Sequence, residues 1–105
     1  MGQARRPGAD VSTFVGLLSV EVFLPDAQSL KDKRMSVRRV KDRLKALGVA
    51  VAEVGHLDVW QRVALGVVAV GNRRGHVDEV LASALTTIES NVDGYVTAVQ
   101  TEFLT

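Results

Sequence analysis

VAVAEVGHLDVWQRVALGVVAVG, from Val49 to Gly71, holds two strand-like runs close together. Val49–Leu57 and Gln61–Gly71 are rich in Val, Leu and Ala, and the short Leu57–Trp60 link between them implies a hairpin. A helical pattern flanks the pair on each side. Upstream, Val37, Val40, Leu44 and Leu47 follow the 3-4-3 spacing of one helical stripe. Ser29 or Asp32 can cap the start of that helix, and Gly48 sits where a helix ends. Downstream, GNRRG (Gly71–Gly75) reads as a loop, and His76–Ser90 as a helix with Val77, Val80, Leu81, Leu85 and Ile88 on one side. The outermost segments are strands again. Thr13–Leu24 places Phe14, Gly16, Leu18, Val20, Val22 and Leu24 on one parity, and Tyr95–Leu104 alternates after a turn at Asn91–Gly94. The order is β-α-β-β-α-β, an α+β, ferredoxin-like split βαβ. Right-handed crossovers then put both helices on one face of an antiparallel four-stranded sheet, in strand order 4-1-3-2.

The chain has 105 residues, the size of one domain. Residues 1–12 are expected to form a flexible leader, and residues 13–105 the domain. With 47% hydrophobic but only 5% aromatic residues, its core must be built from Val, Leu and Ala. The absence of cysteine excludes disulfides, thiolate-bound zinc and Fe–S clusters, and suits the cytoplasm. No apolar run approaches the ~18–20 residues of a membrane span, so no membrane association is expected.

A total charge of +1 hides an asymmetry. Lys31, Lys33, Arg34, Arg38, Arg39, Lys41, Arg43 and Lys45 crowd the first helix with only Asp32 and Asp42 among them, a local +6 that leaves −5 on the rest of the chain. Clustered Lys and Arg bind phosphates, so these eight residues are the candidate nucleic-acid contacts. The third strand carries no aromatic residue between Gln61 and Gly71. RNA is therefore expected to be held through helix–phosphate contacts, not by base stacking on the sheet. Arg73 and Arg74, ahead of the second helix, form a weaker candidate anion site.

The sheet face away from the helices should hold Val15, Leu17, Ser19, Glu21 and Phe23 of the first strand and Arg62, Ala64, Gly66, Val68 and Val70 of the third. On the same reasoning it takes Val49, Val51 and Glu53 of the second strand and Val96, Ala98, Gln100, Glu102 and Leu104 of the fourth. Val15, Leu17, Val68 and Val70 make one end of this face apolar, which suggests a homo-oligomer contact, a dimer in the simplest case. Glu21 and Arg62 are expected to form a salt bridge there.

EVGHLDVWQR (Glu53–Arg62) gathers Glu53, His56, Asp58, Trp60 and Arg62. Glu53 and His56 differ in strand parity and should point to opposite faces. Asp58 suits the turn, and Trp60 is expected to cover the end of the sheet. There is no Gly-x-Ser-x-Gly, His-Glu-x-x-His or P-loop pattern. No catalytic residue, metal ligand or cofactor is assigned, and the expected function is non-enzymatic.

SLKDKR (Ser29–Arg34), AEVGHLDVWQR (Ala52–Arg62) and VAVGNRRGHVDEVL (Val68–Leu81) resemble the YlxP-like family of small bacterial proteins, over about Val15 to Leu104. The resemblance implies a ferredoxin-like fold and a bacterial cytoplasmic protein. Its members are a domain of unknown function, often encoded among genes for translation initiation, transcription elongation and ribosome maturation. It supplies no catalytic residues. Where the family often has an acid just before the histidine, this chain has Gly55. Contact with RNA or the ribosome through the basic helix is the first expectation. The alternative is an oligomeric module that binds a small ligand or a protein on its open sheet face.

Overall fold

The computed structural model describes residues 8–9 and 11–105. Most of the expected leader, residues 1–12, lies outside the described residues. The elements are β1 (Phe14–Phe23), α1 (Leu30–Lys45), β2 (Ala50–Gly55), β3 (Arg62–Gly71), α2 (Arg74–Asn91) and β4 (Tyr95–Phe103). The sheet runs β2-β3-β1-β4 with every neighbouring pair antiparallel. This is the expected ferredoxin-like order, read from the opposite edge.

Alternation along the two central strands makes the core. Leu18, Val20 and Val22 of β1 and Val63, Leu65, Val67 and Ala69 of β3 are buried on one side of the sheet. Val37, Val40 and Leu44 of α1 and Val77, Leu81, Ala84 and Ile88 of α2 meet them from above. Each buried Val, Leu or Ile contributes roughly 1.5–3 kcal/mol by leaving water. Gly16 lets α2 approach closely, since a Cβ there would lie 2.7 Å from Leu81 Cδ1.

Local chemistry sets the helix ends. Ser29 is the N-cap of α1: its hydroxyl accepts from Asp32 N at 3.1 Å, while Asp32 Oδ2 accepts from Gln28 N at 3.0 Å. One orphan donor of the helix and the N–H just ahead of its cap are thus satisfied together. Beyond Lys45 the chain unwinds through a turn that ends on Gly48, whose φ of 74° is left-handed. The second helix starts two residues earlier than the sequence pattern suggests. Arg74 and Gly75 belong to its first turn, closed by Val77 N to Arg73 O at 3.2 Å, so GNRRG is only partly a loop.

The register corrects the expected open face. Val51 pairs with Val67 and Glu53 with Leu65, so Val51 and Glu53 point towards the helices, and Val49 packs against the same core. The open face of β2 is instead formed by Ala50, Ala52 and Val54. In β4, a register shift opposite Glu21 and Val22 pairs Val96 with Val22 and turns it to the core side. The assignments for β1 and β3 agree with the burial pattern of both strands.

Candidate functional site

The basic helix divides into three parts. Lys33 is corrected first: it is not a surface cation. It is 2% exposed, and its ammonium lies among the main-chain carbonyls of His56 (2.6 Å), Val59 (2.8 Å), Arg62 (3.2 Å) and Leu57 (3.3 Å). Glu53 Oε2 stands 2.9 Å away and supplies the countercharge. That contact is an ion pair without hydrogen-bond alignment, because Glu53 Oε2 has no aligned donor. A buried ammonium costs several kcal/mol unless it is paired and hydrogen-bonded. Here both conditions are met, and α1 is tied to the β2–β3 connection.

The second part is a stripe. Arg34, Arg38, Lys41 and Lys45 line a shallow groove beside Val37, Asp42 and Glu53. Their 4-3-4 spacing, with Lys31 one turn before, keeps the five cations within an arc of about 80° at 100° per residue. Among the described residues the stripe has one weak ion pair, Lys45–Asp42 at 3.8 Å. The third part lies across the buried stripe. Arg39 binds Asp93 Oδ2 at 2.7 Å and donates to Asn91 O at 3.0 and 3.2 Å, which fastens α1 to the end of α2. Arg43 is exposed in the last turn, where a cation suits the helix dipole. Arg39 is therefore structural, and Arg43 points away from the stripe.

Arg73 and Arg74 stand at the start of α2. Arg73 is the N-cap of α2 and makes no side-chain cap hydrogen bond, while the Arg74 guanidinium lies 4.0 Å from the Phe103 ring centroid. That cation–π contact gives Arg74 a role at the end of the sheet.

On the open sheet face, Glu21 is the centre of a three-residue cluster. Its Oε1 lies 2.6 Å from His56 Nε2 and 3.4 Å from Arg62 Nη2. The expected Glu21–Arg62 bridge is present, but His56 is the closer partner. Strand alternation alone does not place His56 there. The β2–β3 register shifts between Glu53 and Gly55, and His56 takes a left-handed φ of 59°. Glu53 and His56 thus fall on opposite faces, with Glu53 on the helix side. Beside the cluster, Ser19, Val54, Ala64, Ala98 and Gln100 line a shallow hollow. Among the described residues no three His, Asp or Glu side chains converge to hold a metal, and no helix is long and apolar enough to cross a membrane.

The family described as "Protein of unknown function (DUF503)" matches residues 15–101. The chain belongs to the DUF503 family. An uncharacterised Bacillus subtilis protein, YlxP, is 34% identical over 77 residues, 72% of this chain and 84% of its own length. Among solved structures, the designed protein Ferredog-Diesel superposes with a TM-score of 0.51 at 13% identity, covering 97% of this chain and 95% of its own. That likeness concerns the fold alone. The basic stripe, the Lys33 clamp and the Glu21 cluster all lie within the part matched by the DUF503 family.

Two expectations follow for this DUF503 domain. Lys33→Met strands Glu53 and four carbonyls, so urea unfolding should show a loss of about 3–5 kcal/mol. A variant within about 0.5 kcal/mol of the parent would show that the clamp holds nothing. Glu21 titrates below its ordinary 4.5 because of its hydrogen bond to His56, reinforced by the charges of His56 and Arg62 and opposed by desolvation. A depressed folded-state pKa gives stability that is complete above about 4.5 and is lost as pH falls through the folded value. An NMR titration should place the Glu21 midpoint below 4.5, and Glu21→Gln should remove this part of the acid limb. A midpoint at or above the ordinary value would contradict the geometry.

Proposed function

We propose that this chain is a non-enzymatic, cytoplasmic protein that contacts RNA or the ribosome through the phosphate backbone. The observation that carries the reading is the stripe of Lys31, Arg34, Arg38, Lys41 and Lys45 on one flank of α1, which among the described residues has only the weak Lys45–Asp42 pair. By a rise of ~1.5 Å per residue, Arg34 to Lys45 spans about 16 Å, enough to follow several successive phosphates. The helix is held rigidly under the stripe by Val37, Val40 and Leu44 below and by the Lys33 and Arg39 ties at its two sides. Cations fixed on such a scaffold lose little further entropy on binding.

Four such contacts to a single strand should give a slope of log K against log salt of about −3. The double variant Arg38→Glu/Lys41→Glu should bind more weakly, with the slope cut to about −1.5, while Arg43→Glu on the other flank should leave it unchanged. Fluorescence anisotropy with ribosomal RNA fragments across a salt series measures both. Binding that is absent at low salt, or indifferent to salt, would defeat the reading.

A second reading concerns the open sheet face. Val54, Val70 and Tyr95 stand there 63%, 66% and 66% exposed. A second copy of this chain packed on that face would cover Val15, Leu17, Val68 and Val70, and the pair would be a homodimer. Sedimentation should then show a dimer that Val70→Asp converts to monomer. A monomer at high concentration would exclude it.

A further inference from the structure

The β2–β3 connection is built in an unusual way. Its main chain is tied inward at several points while its large apolar side chains are left in water. The carbonyls of His56, Leu57, Val59 and Arg62 face the Lys33 ammonium. Val59 N donates to His56 O at 3.0 Å, Gln61 O accepts from Leu24 N at 2.8 Å, and Gln61 Nε2 donates to Pro25 O at 2.9 Å. Yet Leu57, Val59 and Trp60 are 60%, 43% and 51% exposed. Trp60 does not seal the end of the sheet as expected from sequence. A buried lysine and a left-handed histidine are costly, and such costs persist where the surroundings over-determine the geometry, often at functional positions. What they secure here is a fixed backbone beneath an outward tryptophan.

The location gives that tryptophan a use. Lys33 lies at the same level along α1 as Lys31 and Arg34, the first two cations of the stripe, but on the buried side, and its ammonium meets the carbonyl of Val59, the neighbour of Trp60. The rigid loop therefore stands beside the N-terminal part of α1, at the level of the first cations of the stripe. Positive charge along a backbone track with an aromatic platform at its end is the arrangement that holds single strands, because every base has a stackable face. A base inside a duplex cannot reach such a platform. The third strand offers no substitute, since it has no aromatic residue, and the exposed Phe23 and Tyr95 lie on the open face of the sheet, away from α1.

We propose that Trp60 is a stacking platform for an unpaired base, and that the ligand of the α1 stripe is a single strand, not a duplex. The inference rests on the phosphate-binding reading of α1 and adds the class of RNA. Trp60 is the one tryptophan in the chain, so its fluorescence reports on the platform directly. The test titrates the full chain with an unstructured single-stranded RNA and with a blunt duplex of the same length, for the parent, Trp60→Ala and Trp60→Phe. The parent should bind the single strand more tightly, with quenched emission, and the duplex without quenching. Trp60→Ala should weaken single-strand binding by about five- to a hundredfold, erase the preference over duplex and leave the salt slope in place. Trp60→Phe should keep part of the preference.

Unchanged tryptophan emission at saturating single strand overturns the proposal, as does a preference that survives Trp60→Ala. With salt-dependent binding intact, either result leaves the α1 stripe standing and assigns the apolar loop to a protein partner. If the parent binds neither RNA at low salt, the phosphate-binding reading and the stacking inference fall together.

Discussion

One ammonium group holds the working half of this molecule in place. Lys33 leaves α1 on its buried side and ends among four carbonyls and a carboxylate. Three N–H bonds cannot serve five acceptors in line at once, so part of the attraction is purely electrostatic and depends on a dry surrounding. The contact fixes where the β2–β3 connection crosses the end of the helix. It also turns Glu53 inward and fixes the carbonyl of His56, whose ring reaches Glu21 on the far face of the sheet. The helix flank, the loop and the open-face cluster thus share one anchor.

Around that anchor the charges of α1 do different work. Lys33 is internal and Arg39 closes the seam with the end of α2. Lys31, Arg34, Arg38, Lys41 and Lys45 remain as one flank in water. Net charge is a poor description of such a helix. A +6 segment counts cations that stabilise the fold together with cations free to meet a phosphate, and only their angular positions separate the two sets. The opposite sheet surface mixes Glu21, His56 and Arg62 with exposed valines, so the domain presents two surfaces of unlike chemistry on its two sides.

Most of the architecture was legible because β1 and β3 alternate cleanly. Val20 and Val22 against Ser19 and Glu21 leave one choice of face, and the hairpin at Val49–Gly71 forces the element order. β2 was harder, since Val49, Ala50, Val51 and Ala52 are apolar on both parities. Only the preference of Glu53 for a face away from the core chooses between them, and a buried cation reverses that preference. Yet the signal existed: Lys33 lies four residues before Val37, on the apolar stripe itself, and a lysine on that stripe asks for an acid opposite. Val96 turns to the core side through an irregularity between β1 and β4 that no pattern of residues announces. The approach of His56 to Glu21 needed a bulge and a left-handed residue, both of which appear only in three dimensions.

The position of β4 has a consequence for how the chain is made. The first strand of the domain, β1, is an inner strand of the sheet, and its two neighbours, β3 and β4, come from later in the chain. Gly16 pairs with Phe103, and Val15 bonds to Leu104 and Thr105, so this edge of β1 is covered by the last strand of the domain. Until β4 has left the ribosome, β1 can pair with β3 but must leave its other edge bare. An unpaired edge rich in Val and Leu is the kind of surface that nascent chains use to associate wrongly. For this domain the emergence of β4 is the moment of closure, and protection of that edge until then belongs to translation as much as to the folded state.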